Sequence, residues 1–125
     1  MAIGKHILLD LWFDEDAADV LDYLTPWPDI LTDAALRSGA VIIGQQFHQF
    51  QPRGITGFLL LAESHISVHT WPEEKLAAID IFTCGNMDEE VALTVLRQRL
   101  HPVQEKITIT LRGEFQDQNL VVVTK

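Results

Sequence analysis

The sequence predicts an α+β two-layer sandwich, a mainly antiparallel sheet with helices on one face. Two observations and one packing rule predict it. Apolar segments of strand character recur through the middle of the chain with turns too short for a crossover, so these neighbours must run antiparallel. Two segments with helical spacing stand apart, one after the first strand and one after the fifth. Helices gathered on one face of a sheet give a two-layer core. The opposite face, if apolar, needs a partner, and a dimer is the expectation. A length of 125 residues suits a single domain, 1–125, with one ordinary core.

In chain order, His6–Phe13 (HILLDLWF) is apolar with one polar interruption and reads as the first strand. Asp14-Glu15-Asp16 starts a helix, because carboxylates favour the positive end of the helix dipole. Ala17, Val20, Leu21 and Leu24 follow at helical spacing. Thr25-Pro26-Trp27-Pro28 interrupts it, since proline lacks an amide donor and restricts its predecessor. Ile30, Leu31, Ala34, Ala35 and Leu36 resume the pattern, and Ser38-Gly39 ends it with glycine as a left-handed cap. Ala40–Phe50 reads as the second strand, Gln51-Pro52-Arg53-Gly54 as a turn and Thr56–Ala62 as the third strand. Ser67–Trp71 is expected as the fourth, with 63–66 as the tight interval before it. Pro72-Glu73-Glu74-Lys75 turns into a fifth, Leu76–Thr83. Gly85-Asn86 breaks the chain, and Met87-Asp88 caps a helix over Glu89–Leu100 that turns Val91, Val95 and Leu96 inward. His101-Pro102 stops it. Ile107, Ile109 and Leu111 alternate as a strand, Arg112-Gly113 turns, and Asn119–Val123 is expected as a short tail strand.

Composition narrows the function. A net charge of −9 with only 9 Lys plus Arg disfavours nucleic-acid binding, which needs a basic face. The acidity serves solubility or attracts cationic small molecules. No apolar run reaches the length of a membrane span, and the start is acidic too soon for a secretory signal, so a cytoplasmic location is expected. The single cysteine forms no internal disulfide.

The chemistry concentrates in Glu63–Cys84, ESHISVHTWPEEKLAAIDIFTC. Hydroxyl, imidazole and thiol together suit nucleophilic and acid–base work. Ser64 follows a strand at a turn. A serine hydroxyl in a strained turn can attack the preceding carbonyl and exchange the amide for an ester. Elimination then leaves dehydroalanine, and hydrolysis leaves a pyruvoyl group on residue 64. An ordinary turn serine would instead hydrogen-bond its own backbone. His69 is an acid–base candidate, since an imidazole in general can take up or give a proton near neutral pH, or a half-buried strand histidine. Cys84 ends an apolar strand, either as a small buried hydrophobe or, if exposed, as a proton donor. Glu73 reads as surface, and Trp12, Trp71 and Phe50 as core or as ligand platforms. A zinc site from His48, His65, His69 and Cys84 fits poorly, since H-x-x-x-H suits a helix better than this strand. A Cys84–His69 hydrolase would need an orienting third group. No glycine-rich phosphate loop is present.

Glu63-Ser64-His65, then Ser67-Val68-His69-Thr70-Trp71-Pro72-Glu73, then Ala78-Ile79-Asp80-Ile81-Phe82-Thr83-Cys84-Gly85 closely resemble the signature of the small prokaryotic S-adenosylmethionine decarboxylases. The resemblance is strongest over about Gly39–Gly85 and weaker at Gly4–Asp10 and around Arg112-Gly113. It implies self-cleavage between Glu63 and Ser64 into a β chain 1–63 and an α chain 64–125 headed by a pyruvoyl cofactor made from Ser64. That group would take the substrate amine as a Schiff base and act as the electron sink for decarboxylation. By the same resemblance, His69 would assist the elimination step and Cys84 would donate the proton that replaces carbon dioxide. Glu73 would hold the substrate ribose. Phe50 and Trp12, with Trp71 near them, would meet the adenine. Thr56 stands where the family usually has a serine that steadies the processing intermediate. The implied assembly is a homodimer of αβ protomers with no metal, and the product would serve polyamine synthesis.

Two features depart from the family. The opening strand ends Leu11-Trp12-Phe13-Asp14-Glu15-Asp16, without the cysteine that commonly follows, and Thr25-Pro26-Trp27-Pro28 is unusual. Two alternatives therefore stand beside the main expectation. One is a pyruvoyl-dependent arginine or ornithine decarboxylase on the same scaffold. The other is an unprocessed, non-catalytic relative.

Overall fold

The computed structural model describes residues 2–114. Nine main elements follow one another: β1 (Gly4–Trp12), α1 (Ala18–Asp22), α2 (Trp27–Arg37), β2 (Ile42–Gln49), β3 (Ile55–Leu61), β4 (Ser64–Trp71), β5 (Leu76–Thr83), α3 (Glu89–Leu100) and β6 (Gln104–Arg112). The strands form one sheet in the order β2-β3-β4-β5-β1-β6, every neighbouring pair antiparallel. The helices cover one face, and the α+β two-layer sandwich is as the sequence predicts. Among the described residues no helix is long and apolar enough to cross a membrane.

Strand alternation divides the side chains between the two faces. Ile7, Leu9 and Leu11 of β1, Leu59 and Leu61 of β3, Ile66 and Val68 of β4, and Ile79 and Ile81 of β5 all point to the helix layer and are buried. They pack with Trp27, Ile30, Leu31, Ala34 and Ala35 of α2 and with Leu93, Val95 and Leu96 of α3. Each such large side chain contributes about 1.5–3 kcal/mol on burial. The other face is open. Leu8, Phe58, Leu60 and Trp71 there are all well exposed.

The expected interruption after Leu24 is real and is held in place. Trp27 Nε1 donates to the Val20 carbonyl at 2.6 Å, and the Leu24 amide donates to Gln49 Oε1 at 2.6 Å. Thr70 Oγ1 donates to the Leu21 carbonyl at 2.8 Å. Gly39 has φ of 92°, in the left-handed conformation expected of the cap after α2. Asp88 caps α3, its carboxylate accepting from the amides of Glu90 and Val91.

One boundary differs in a way that bears on function. Residues 64–66 are not a turn: β4 begins at Ser64, and Leu61 pairs directly with Ser64. The turn is therefore only Ala62-Glu63. Ser64 and Ile66 are buried on the helix side while His65 and Ser67 face the open side, which is strand alternation already in progress. The expected tail strand, Asn119–Val123, lies outside the described residues.

Candidate active site

A two-residue hairpin demands special backbone angles, and Glu63 supplies them at φ of 63°. A left-handed conformation costs a residue with a side chain about 1–2 kcal/mol relative to its preferred right-handed one. The strain sits on the residue whose carbonyl begins the Glu63–Ser64 peptide bond. The loop after β5 grips that hairpin. Cys84 Sγ donates to the Glu63 carbonyl at 3.1 Å. Asn86 Nδ2 donates to the Ala62 carbonyl at 2.6 Å, and Asn86 Oδ1 accepts from Ser64 Oγ at 3.0 Å. Cys84 is exposed, as a proton donor to a substrate requires, while Ser64 is only 7% exposed. Beside Cys84 lies an open cavity of about 290 Å³ whose walls include Gly4, Lys5, Met87 and Glu89.

The other residues singled out from the sequence gather on the open face, at the opposite end of the sheet. Thr56 Oγ1 and His69 Nδ1 share a hydrogen bond of 3.1 Å across the β3–β4 ladder. The His69 ring lies 5.8 Å from that of Trp71. Trp71 and Trp12 both pair with Leu76, one from each side, so the two indoles flank β5. Phe50 follows β2 and packs edge-on against His48 at 4.6 Å. Trp71 is 44% and Phe50 46% exposed, so neither is a core residue. Glu73 is exposed in the short 3-10 turn Pro72–Glu74 that follows Trp71.

The structure therefore brings Glu63, Ser64 and Cys84 together, and separately Thr56, His69, Trp71, Glu73, Phe50 and Trp12. It does not bring the two groups together within one chain. Ser64 and His69 are five residues apart on one strand, which is about 16 Å at a strand's rise per residue. An odd spacing also puts their side chains on opposite faces.

Between the two groups a polar network crosses the open face. His6 Nε2 and His65 Nε2 both donate to Asp80 Oδ2, the latter at 3.1 Å, and Ser67 Oγ donates to Asp80 Oδ1. Burial alone would raise the Asp80 carboxyl, but hydrogen bonds from His65, Ser67 and His6 prevail and hold it well below the usual carboxylate range. The ligand atoms of His6, His65 and Asp80 all lie within 4.8 Å of one another, the spacing of a metal site. Arg112 decides the chemistry instead. Its Nη1 donates to His6 Nδ1 at 3.0 Å, which leaves the ring proton on Nε2, directed at Asp80. The atoms a metal would need are engaged with one another. The zinc set weighed from the sequence is not assembled either. His65 and His69 sit four residues apart on the open face of β4, about 13 Å along the strand.

Asn86 is the site residue that sequence reasoning missed. It reads only as a chain breaker after Gly85, and its one signal is its place directly beyond the Cys84-Gly85 pair.

Comparison with known proteins supplies the family. The family model described as S-adenosylmethionine decarboxylase matches residues 5–113. A protein of Methanococcus aeolicus named S-adenosylmethionine decarboxylase proenzyme is 43% identical over 114 residues, spanning 90% of this chain and 96% of that one. A protein of the same name from Prochlorococcus marinus is 48% identical over 99 residues, 78% of each chain. The crystal structure of the adenosylmethionine decarboxylase from Aquifex aeolicus superposes with a TM-score of 0.82 at 34% identity, covering 96% of this chain and 98% of that one. The match extends through nearly the whole fold as well as the motif, and the chain belongs to the S-adenosylmethionine decarboxylase family.

Proposed function

We propose that the chain cleaves itself between Glu63 and Ser64 and, with the pyruvoyl group so formed, decarboxylates S-adenosylmethionine. The observation that carries this reading is the hairpin itself, a strained Glu63 with Cys84 on its carbonyl and the Ser64 hydroxyl next in line. Ser64 Oγ attacks the Glu63 carbonyl carbon, the C–N bond breaks, and the hydroxyl proton passes to the freed amine. The thiol of Cys84 faces the oxygen on which charge develops. β-Elimination releases the Glu63 carboxylate, and water replaces the nitrogen as ammonia, leaving the pyruvoyl carbonyl on residue 64.

The residues present fit that group. Ser64 supplies its carbon skeleton, and cleavage frees the start of β4 from the turn. When formed, the group supplies an electron sink for the bond to the departing carboxylate. Cys84, exposed at the same place, delivers the proton that takes the place of carbon dioxide. Trp12, Phe50 and Trp71 present aromatic faces suited to a purine, and Glu73 a carboxylate suited to ribose hydroxyls.

The active assembly is a homodimer. Its support is the division of the site residues between the two ends of a sheet whose second face is open and partly apolar. In a closed two-fold pair, the Thr56–His69 end of one copy meets the Ser64–Cys84 end of the other, twice over. The Thr56–His69 pair then acts on the elimination step of the opposite chain, and Leu8, Phe58 and Leu60 leave water.

Turnover of S-adenosylmethionine, arginine and ornithine by purified protein tests the substrate. Carbon dioxide release from S-adenosylmethionine alone is expected. Release only from arginine or ornithine would replace the substrate while keeping the chemistry.

A further inference from the structure

We infer that Asn86 is a positioning residue for self-cleavage, setting the attack angle of Ser64 Oγ through both atoms of its amide. The inference rests on the self-cleavage reading above and adds a residue to it.

A side-chain amide carries a donor and an acceptor on one rigid plane. Asn86 uses both on the same hairpin. Nδ2 fixes the Ala62 carbonyl at 2.6 Å, on one side of Glu63, and Oδ1 accepts the Ser64 hydroxyl at 3.0 Å on the other. With Cys84 on the Glu63 carbonyl, three consecutive hairpin residues are held by one short loop. That loop is anchored independently of the hairpin. The Gly85 amide donates to Thr83 Oγ1 at 3.1 Å, the Met87 side chain is buried, and the Asp88 amide donates to the Ser38 carbonyl at 2.8 Å. Gly85 at φ of 94° adopts the left-handed turn that lets Cys84 and Asn86 both reach back.

The chemical consequence is directional. An acceptor on the Ser64 O–H turns its lone pairs away from Asn86, while the grip on Ala62 keeps the Glu63 carbonyl from swinging with the turn. Asn86 accepts no proton. In the step it governs, the Oγ–C bond forms, the C–N bond breaks and the hydroxyl proton ends on the Ser64 amine. Asn86 itself is exposed, so replacing it removes little packing.

The test follows cleavage of freshly translated full-length chain by intact mass over time. Asn86→Ala is expected to slow the appearance of the two fragments about ten-fold or more, since misaligned reacting atoms lose most of their advantage. Its circular dichroism and melting temperature should stay close to those of uncut Ser64→Ala protein. Hydroxylamine separates orientation from later steps. It cleaves an ester at residue 64 promptly, so a variant slow only in elimination is rescued. Asn86→Ala accumulates no ester and is not rescued. Asn86→Asp, which keeps the shape but cannot donate to Ala62, should also be slowed, and it decides the matter if the alanine variant misfolds. Cleavage of folded Asn86→Ala or of Asn86→Asp at the wild-type rate, or prompt rescue by hydroxylamine, would overturn the inference. Wild-type chain that never cleaves would overturn the underlying reading instead.

Discussion

Mixing two defective chains gives a quantitative consequence of the divided site. Ser64→Ala removes the nucleophile at one end of β4, and His69→Ala removes the imidazole at the other. The two positions are five residues apart on one strand, about 16 Å at roughly 3.3 Å per residue. They also project from opposite faces, so no rotamer lets one reach the other within a chain. If each working site takes Ser64 from one copy and His69 from its partner, a mixed dimer contains one intact site and one doubly defective site. Random pairing of equal amounts makes half the dimers mixed, so about a quarter of all sites are restored. Ser64→Ala alone should yield no fragments. His69→Ala alone should cleave about 100-fold more slowly, the range lost with a general acid–base group. The assay is co-expression with two different affinity tags, sequential purification of the mixed species, and measurement of cleaved chain and of carbon dioxide release. Verified mixed dimers that show no gain over the single variants would refute the shared site.

Further predictions concern single positions. Glu63→Gly should slow cleavage about five-fold, because glycine adopts a positive φ without the roughly 1 kcal/mol that glutamate loses there; an unchanged or faster rate would remove turn strain from the account. Cys84→Ala should still cleave, since a thiol is a weak hydrogen-bond donor to the Glu63 carbonyl, but should turn over poorly, and normal turnover would refute its role as proton donor. The Asp80 carboxyl is depressed in the folded state, so its contribution to stability is present above an ordinary carboxylate's pKa of about 4 and is lost as pH falls through the folded value. Urea midpoints of wild type and Asp80→Asn should therefore differ most near neutrality and converge on acidification below about pH 4. A difference independent of pH would contradict the network.

The sheet order follows from features that short-range physics makes visible. Ile79 and Ile81 alternate with Ala78 and Asp80, proline and glycine mark the turns, and Asp88 announces α3. Three features are not visible in this way. The hairpin at Ala62-Glu63 lacks the Asn-Gly or Asp-Gly that such a turn favours, and Glu63 accepts a positive φ only because the paired strands on both sides impose it. The grip of Asn86 depends on the β3–β4 hairpin and the β5–α3 loop meeting at one end of the sheet, a contact between segments far apart in sequence. Nearness in sequence also misleads about Ser64 and His69. On a strand, an odd spacing sends two side chains to opposite faces. That parity follows only from β4 beginning at Ser64, which the turn-like composition of 63–66 conceals. Residues such as Trp71 and Phe50 have strand-core composition, and only the open second face leaves them exposed.

The most direct test is the intact mass of the denatured protein, with and without S-adenosylmethionine and a reductant that traps an amine on a carbonyl. Two fragments are expected, residues 1–63 and 64–125, with only the second gaining the mass of a reduced adduct. A single full-length mass, or cleavage at another bond, or two fragments of which neither takes up the amine, would contradict the proposed function.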